Sequence, residues 1–91
     1  MTRVLITGGA SGLGRALALA WARRGARVAI ADLNAERSAE SVRLCQEAGA
    51  SDAYFMSVDV RRDQDFQDAA QWLQKNWSGL DILVNLSLIH I

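Results

Sequence analysis

The chain has no proline, one cysteine, one tyrosine and one histidine among its 91 residues, and its formal net charge is zero. The solitary Cys45 leaves no disulfide framework and no ligand spacing for a metal, so no metal site is expected. It reads instead as a small buried hydrophobe. Arginines are spread along the chain and matched by Asp and Glu, which argues against the basic face that nucleic acid requires. No apolar run is long enough to span a bilayer. The N-terminus has neither the charged nor the apolar region of a secretory signal, because a glycine loop already begins at Gly8. Repeats, linkers and low-complexity tracts are missing as well. The expectation is one cytoplasmic domain, near the lower size limit for a self-sufficient core.

What is present is a regular alternation of strands and helices. Arg3 to Thr7 forms a short apolar strand, and Gly8 to Gly12 a loop. Leu13, Ala16, Leu17, Ala20 and Trp21 then recur at helical spacing, which predicts a helix that packs this stripe on a core and stops at Gly25. Arg27 to Ala31 is the second strand, ending at Asp32. Asn34 caps a second helix that runs to about Ala48, with Ala39, Val42, Cys45 and Ala48 as its thin apolar stripe and Gly49 as its end. Ala53 to Val58 is the third strand, followed by Asp59. Phe66, Ala69, Ala70, Leu73 and Trp77 mark a third helix, which leaves Trp72 off the main stripe. Leu80 to Val84 is the fourth strand, ending near Asn85.

Strands separated by helices of this length need crossovers, and crossovers give parallel pairing. The fold class expected is therefore α/β: a three-layer, Rossmann-type doubly wound parallel sheet, incomplete, with about four strands and three helices in the order β-α-β-α-β-α-β. Strands one, two and four are nearly all apolar, as strands covered by helices on both faces are.

The segment Thr7-Gly8-Gly9-Ala10-Ser11-Gly12-Leu13-Gly14 carries the chemistry. It turns a strand into a helix through residues that lack a Cβ, which permits a tight bend and close approach of a ligand to the backbone. The helix then aims free N–H groups and its positive dipole end at an anion, so the loop reads as a phosphate or pyrophosphate cradle. The usual dinucleotide spacing of glycines at i, i+2 and i+5 is not met. The Gly-Lys-Ser/Thr of a nucleoside-triphosphate loop is not met either, since Gly14 is followed by Arg15 and Ala16. Asp32 ends the second strand eighteen residues after Gly14, close to the spacing of about 20 for an acid that binds a ribose. Such a carboxylate accepts from both ribose hydroxyls and repels a 2′-phosphate. Neither Leu33 nor the glycine loop supplies a compensating base, so NAD is favoured over NADP; Arg37 is the one basic residue within reach of a 2′-phosphate.

The loop resembles the TGxxxGxG motif of the short-chain dehydrogenase/reductase family, and the resemblance covers residues 3 to 85. It implies that Thr7, Gly8, Ser11, Gly12, Leu13 and Gly14 seat a dinucleotide, with Asp32 and Leu33 beside the adenosine ribose. It implies further that Asp59 accepts from the adenine amino group and Val60 packs on the ring. Asn85 matches the first asparagine of the family's Asn-Asn-Ala-Gly, which ties strand ends together beside the cofactor. The pattern breaks after it, because Leu86 and Leu88 stand where the family keeps small or polar residues. No catalytic residue is identified. The family's Tyr-x-x-x-Lys is absent, for Tyr54 lies in a strand with Val58 four positions on, and Lys75 lies on the third helix. Ser87 and His90 do not replace them.

The expected organisation is residues 1–85 as the N-terminal half of an NAD(P)-binding domain, and 86–91 as a divergent tail from truncation or a frame change. The parent enzyme would transfer hydride between NAD(P) and an alcohol or ketone and associate as a homo-oligomer. A non-catalytic NAD-binding module is the alternative; the glycine loop and Asp32 argue against a flavodoxin-like or receiver domain. In the family's strand order the fourth strand is interior, so here it is expected as a bare aliphatic edge prone to association.

Overall fold

The computed structural model describes residues 1–59 and 61–86. Its elements follow one another as β1 (Arg3–Thr7), α1 (Gly12–Arg23), β2 (Arg27–Asp32), α2 (Ala35–Ala48), β3 (Asp52–Ser57), α3 (Asp63–Trp77) and β4 (Ile82–Asn85). The strands pair in parallel throughout, in the order β3-β2-β1-β4. The chain thus winds outward from β1 to β3, then crosses back to place β4 on the other side of β1. Ligands of doubly wound sheets bind at this reversal, outside the carboxyl ends of the strands. Those ends are in register, with Thr7 opposite Ala31 on one side and Asn85 on the other, and Asp32 opposite Ser57.

Strand side chains alternate between the two faces, so two cores form. Val4, Ile6, Val28, Ile30 and Ala53 meet Ala18, Ala22 and Cys45 from α1 and α2 on one face. Leu5, Ala29, Ala31 and Met56 meet Ala69, Leu73 and Trp77 from α3 on the other. Cys45 is fully buried, and burial raises its thiol pKa, with the charge of Arg15 opposing.

Helix boundaries follow local chemistry. The Asn34 side chain accepts from the Arg37 N–H at 2.9 Å to cap α2, and Gly49 ends it in the left-handed conformation.

The buried faces differ from the sequence pattern at several places. In α1 the residues against the sheet are Gly14, Ala18 and Ala22. Leu13 is 65 % exposed, Ala16 and Ala20 are exposed, and Leu17 and Trp21 are only half-buried. The first turn lies so close to the loop at Gly14 that the small-residue stripe takes the deepest positions, with Leu17 and Trp21 packed at the margin of the core. In α2 the buried residues are Ser38, Ser41 and Cys45, while Ala39 faces outward. In α3 Ala69, Leu73 and Trp77 are buried as the pattern predicts, but Ala70 is exposed and Phe66 half-buried. Trp72 covers the edge strand, its ring stacked on Tyr54 with centroids 4.1 Å apart.

Two strand boundaries shift by one or two residues. β3 runs Asp52–Ser57 rather than to Val58, and β4 begins at Ile82 because Leu80 and Asp81 belong to the turn. Asp81 is fastened to Arg3 through side-chain bonds of 2.9 and 3.0 Å and a backbone bond from the Arg3 N–H of 2.8 Å. β4 is covered on one face only: Ile82 and Val84 are half-buried against the first core, while Leu83 on the other face is 54 % exposed beside a groove of about 300 Å³ lined by Leu5, Phe66, Leu73 and Leu80. Its apolar character therefore reflects cover on one face rather than two, and among the described residues β4 pairs with β1 alone.

Candidate functional site

The glycine loop leaves β1 at its carboxyl end and enters α1 within five residues. Gly8, at φ +74°, and Gly12, at φ +59°, make the two left-handed bends that the turn needs. Gly14 has a different role: a Cβ there would lie 2.0 Å from the Gly8 carbonyl oxygen. The absence of that one carbon lets the first turn of α1 sit directly on the loop.

The outer side of the loop is open. Ser11, Gly12 and Leu13 are exposed, and Ser11 at the N-cap makes no side-chain capping bond. No acidic residue occupies the first turn of α1. The free N–H groups and the positive dipole end therefore face outward without a carboxylate to neutralise them.

Asp32 lies beside this loop and is oriented by it. One carboxylate oxygen accepts from the Ala10 N–H at 3.3 Å, the other from the Asn34 N–H at 3.0 Å. The neighbouring Leu33 is 59 % exposed. A backbone bond of 2.8 Å from the Gly8 N–H to the Ala31 carbonyl ties the same two strand ends together. Arg37 is exposed on the first turn of α2.

On the opposite flank Thr7 is fully buried, and its hydroxyl donates to Asn85 Oδ1 at 2.8 Å while accepting from the Leu86 N–H at 3.0 Å. The β1 and β4 ends are thereby joined where the sheet order reverses. Leu86 continues over the loop: its Cβ lies 3.6 Å from the point a Gly8 Cβ would occupy.

Asp59 stands after β3 on the same edge, and its carboxylate is engaged. Arg61 donates to it from Nε, from its terminal nitrogen and from its backbone N–H, each at 3.0 Å. These bonds hold the Asp59 carboxyl at about 2, well below the usual range. Its backbone N–H donates to Asp65, in the first turn of α3, at 2.8 Å. Val60 and the tail residues 87–91 lie outside the described residues.

The fold thus brings Thr7, the glycine loop, Asp32, Leu33, Asp59 and Asn85 to one edge of one sheet. It also places there two residues that the motif reading passes over. Arg15 and Ser41 both hydrogen-bond the Ala10 carbonyl, at 2.7 and 3.1 Å. The available signal was the pair of serines three apart on the inner face of α2, where an apolar stripe is otherwise required. Among the described residues no group of His, Cys, Asp and Glu is placed to hold a metal, and no helix is long and apolar enough to cross a membrane.

Comparison with known proteins agrees with this geometry. Residues 2–87 match the family model for short chain dehydrogenase. Epidermal retinol dehydrogenase 2 of Mus musculus is 40 % identical over 82 residues, a match that takes in 90 % of this chain and 26 % of the mouse protein. An NADH-dependent reductase solved in complex with NAD superimposes with a TM-score of 0.82 at 30 % identity, covering 92 % of this chain and 35 % of that one. L-sorbose reductase from Gluconobacter frateurii, solved with NADPH and L-sorbose, superimposes with a TM-score of 0.86 at 27 % identity, covering 99 % and 35 %. The chain spans between a quarter and about a third of the length of these relatives. On the match of nearly its whole length, the chain belongs to the short-chain dehydrogenase family.

Proposed function

We propose that this chain is the coenzyme-binding N-terminal part of an NAD(P)-dependent oxidoreductase, and that it takes NAD in preference to NADP. The observation that carries the reading is the joint geometry of the loop and Asp32. The Ala10 N–H within the loop donates to the Asp32 carboxylate, which joins the proposed anion cradle to the proposed sugar-binding acid.

In this reading Thr7, Gly8, Ser11, Gly12, Leu13 and Gly14 form the pyrophosphate seat. Asp32 accepts from the adenosine ribose hydroxyls and Leu33 lies against the adenosine. Asp59 and Val60 serve the adenine, and Asn85 holds the end of β4 beside the cofactor. The bound nicotinamide would supply or accept hydride against an alcohol or ketone in the whole enzyme. In this reading no described residue supplies an acid or base for that step: Tyr54 is stacked under Trp72 on β3 and Lys75 sits in the last turn of α3. We therefore expect the isolated chain to bind cofactor but turn over no substrate, and to associate through its open β4 edge.

Titrating the chain with NADH and NADPH, followed by nicotinamide fluorescence, tests the proposal. NADH should bind at least about tenfold more tightly, because a 2′-phosphate would sit within a few ångströms of a carboxylate. Asp32→Ser should remove most of that preference. Failure of both cofactors to bind at millimolar concentration would overturn the reading, and equal affinity would overturn the choice of NAD.

A further inference from the structure

Arg15 follows the last glycine of the loop, yet its side chain turns back beneath the loop instead of out toward the open face. Its terminal Nη2 donates to the Ala10 carbonyl at 2.7 Å and to the Arg37 carbonyl at 3.1 Å. Its Nε donates to Ser41 Oγ at 2.9 Å, and its Nη1 reaches Glu40 at 3.5 Å. Four of the five N–H groups of a guanidinium are thus spent inside the protein. Ser41, fully buried, closes the ring by donating its own hydroxyl to the Ala10 carbonyl at 3.1 Å. Ala10 is itself buried, and on its other side its N–H is taken by Asp32.

We infer that Arg15 is a positioning residue, which staples the Ala10 carbonyl to α2 and so holds the glycine loop in its receiving shape before any nucleotide binds. The inference rests on the reading of the loop as the pyrophosphate seat. A glycine-rich turn has more backbone freedom to lose than any other, and freedom removed in advance is not lost again on binding. The planar fork suits this task because one group reaches two carbonyls and a hydroxyl on different elements. Its donors point away from the open face, so it acts through the loop and its positive charge rather than by direct contact with phosphate. The staple also couples the loop to Asp32, since both backbone groups of one residue, the Ala10 N–H and C=O, are fixed.

The test compares the chain with Arg15→Met, Arg15→Lys and Ser41→Ala. Methionine keeps an apolar stem and removes every donor. Amide exchange measured without nucleotide should show the Gly8 and Ala10 N–H groups losing protection by about tenfold or more in Arg15→Met, with the Val28 to Ile30 amides of β2 unchanged. NADH affinity should fall by about tenfold, and Ser41→Ala should show a smaller loss at the same amides. Arg15→Lys should fall between wild type and methionine. Wild-type exchange at Gly8 and Ala10 in Arg15→Met would overturn the staple. So would full recovery by lysine, which would assign the effect to charge alone. Lost protection with unchanged NADH affinity would overturn the positioning role. If Arg15→Met does not fold, Ser41→Ala decides by the same two readouts. If wild type binds no NADH, the proposed function fails, whereas the exchange comparison still decides whether the staple exists.

Discussion

Replacing Gly14 by alanine would add a Cβ 2.0 Å from the Gly8 carbonyl oxygen, 2.7 Å from its carbonyl carbon and 2.9 Å from the Gly9 Cα. All three are backbone atoms, so no side-chain rotation relieves the clash. Real Cβ contacts do not fall below 3.0 Å, which means α1 and the loop must separate by about 1 Å. That movement opens the seam where Ala18 and Ala22 are fully buried against the sheet. Overpacking of a close-packed seam costs about 1–3 kcal/mol, and an obstacle made of backbone belongs at the upper end, about 3 kcal/mol. A 91-residue domain has roughly 5–14 kcal/mol of stability in all, so the loss is a large share. Urea unfolding followed by circular dichroism is the assay. With a slope of about 1–3 kcal/mol per molar for a small protein, the midpoint should fall by about 1–3 M. Gly12→Ala is the control, because among the described residues nothing lies within 4 Å of its Cβ position and its left-handed backbone, φ +59°, is what resists alanine. Its cost should be about 1–2 kcal/mol. If Gly14→Ala proves no more destabilising than Gly12→Ala, the reasoning from close approach is refuted.

Two further outcomes concern stability elsewhere in the fold. Ser38 Oγ is buried with no hydrogen-bond partner among the described residues, so Ser38→Ala removes an unpaired polar atom and improves the helix. It should stabilise the chain by about 1 kcal/mol and raise Tm by roughly 4–8 °C in a thermal scan; a lower Tm would show that the hydroxyl is paired. The Asp81 carboxyl is held at about 2, first by the side-chain bonds from Arg3 and then by its backbone N–H. Because this value lies below the ordinary one of about 3.9, the unfolded chain binds more protons between the two. The contribution is complete above the ordinary value and is lost as pH falls toward 2. Urea midpoints between pH 6 and 2 should decline less steeply for Asp81→Asn, and an Asp81 titration near 4 by NMR would contradict the pairing.

Much of the fold was legible because it depends on local signals. Gly25 and Gly49 punctuate the apolar runs, Asn34 caps its helix as its side chain allows, and alternation of strand and helix leaves parallel pairing as the only option. The site's location followed, since the loop, Asp32, Asp59 and Asn85 all lie at carboxyl ends of strands. The most deeply buried face of α1 was not legible. Leu13, Leu17 and Trp21 form one stripe at helical spacing, and Gly14, Ala18 and Ala22 form another beside it. Leu17 and Trp21 do pack on the core, half-buried, but the fully buried residues are the small ones, because Gly14 sets the first turn directly on the loop. The same holds for α2, where Ser38 and Ser41 face inward in place of Ala39.

The sequence by itself determined the order of elements, the glycine loop between β1 and α1 and the position of the acid that ends β2, because each is set by residues adjacent in the chain. Tertiary structure alone decided how those parts are held. Arg15 meets Ser41 across 26 residues, Thr7 meets Asn85 across 78, and Arg3 meets Asp81 across 78. Whether such partners meet depends on how closely helices settle on the sheet and on which strands become neighbours. For α1 that closeness comes from the missing Cβ of Gly14. For the two long-range pairs it comes from the return of β4 to the side of β1.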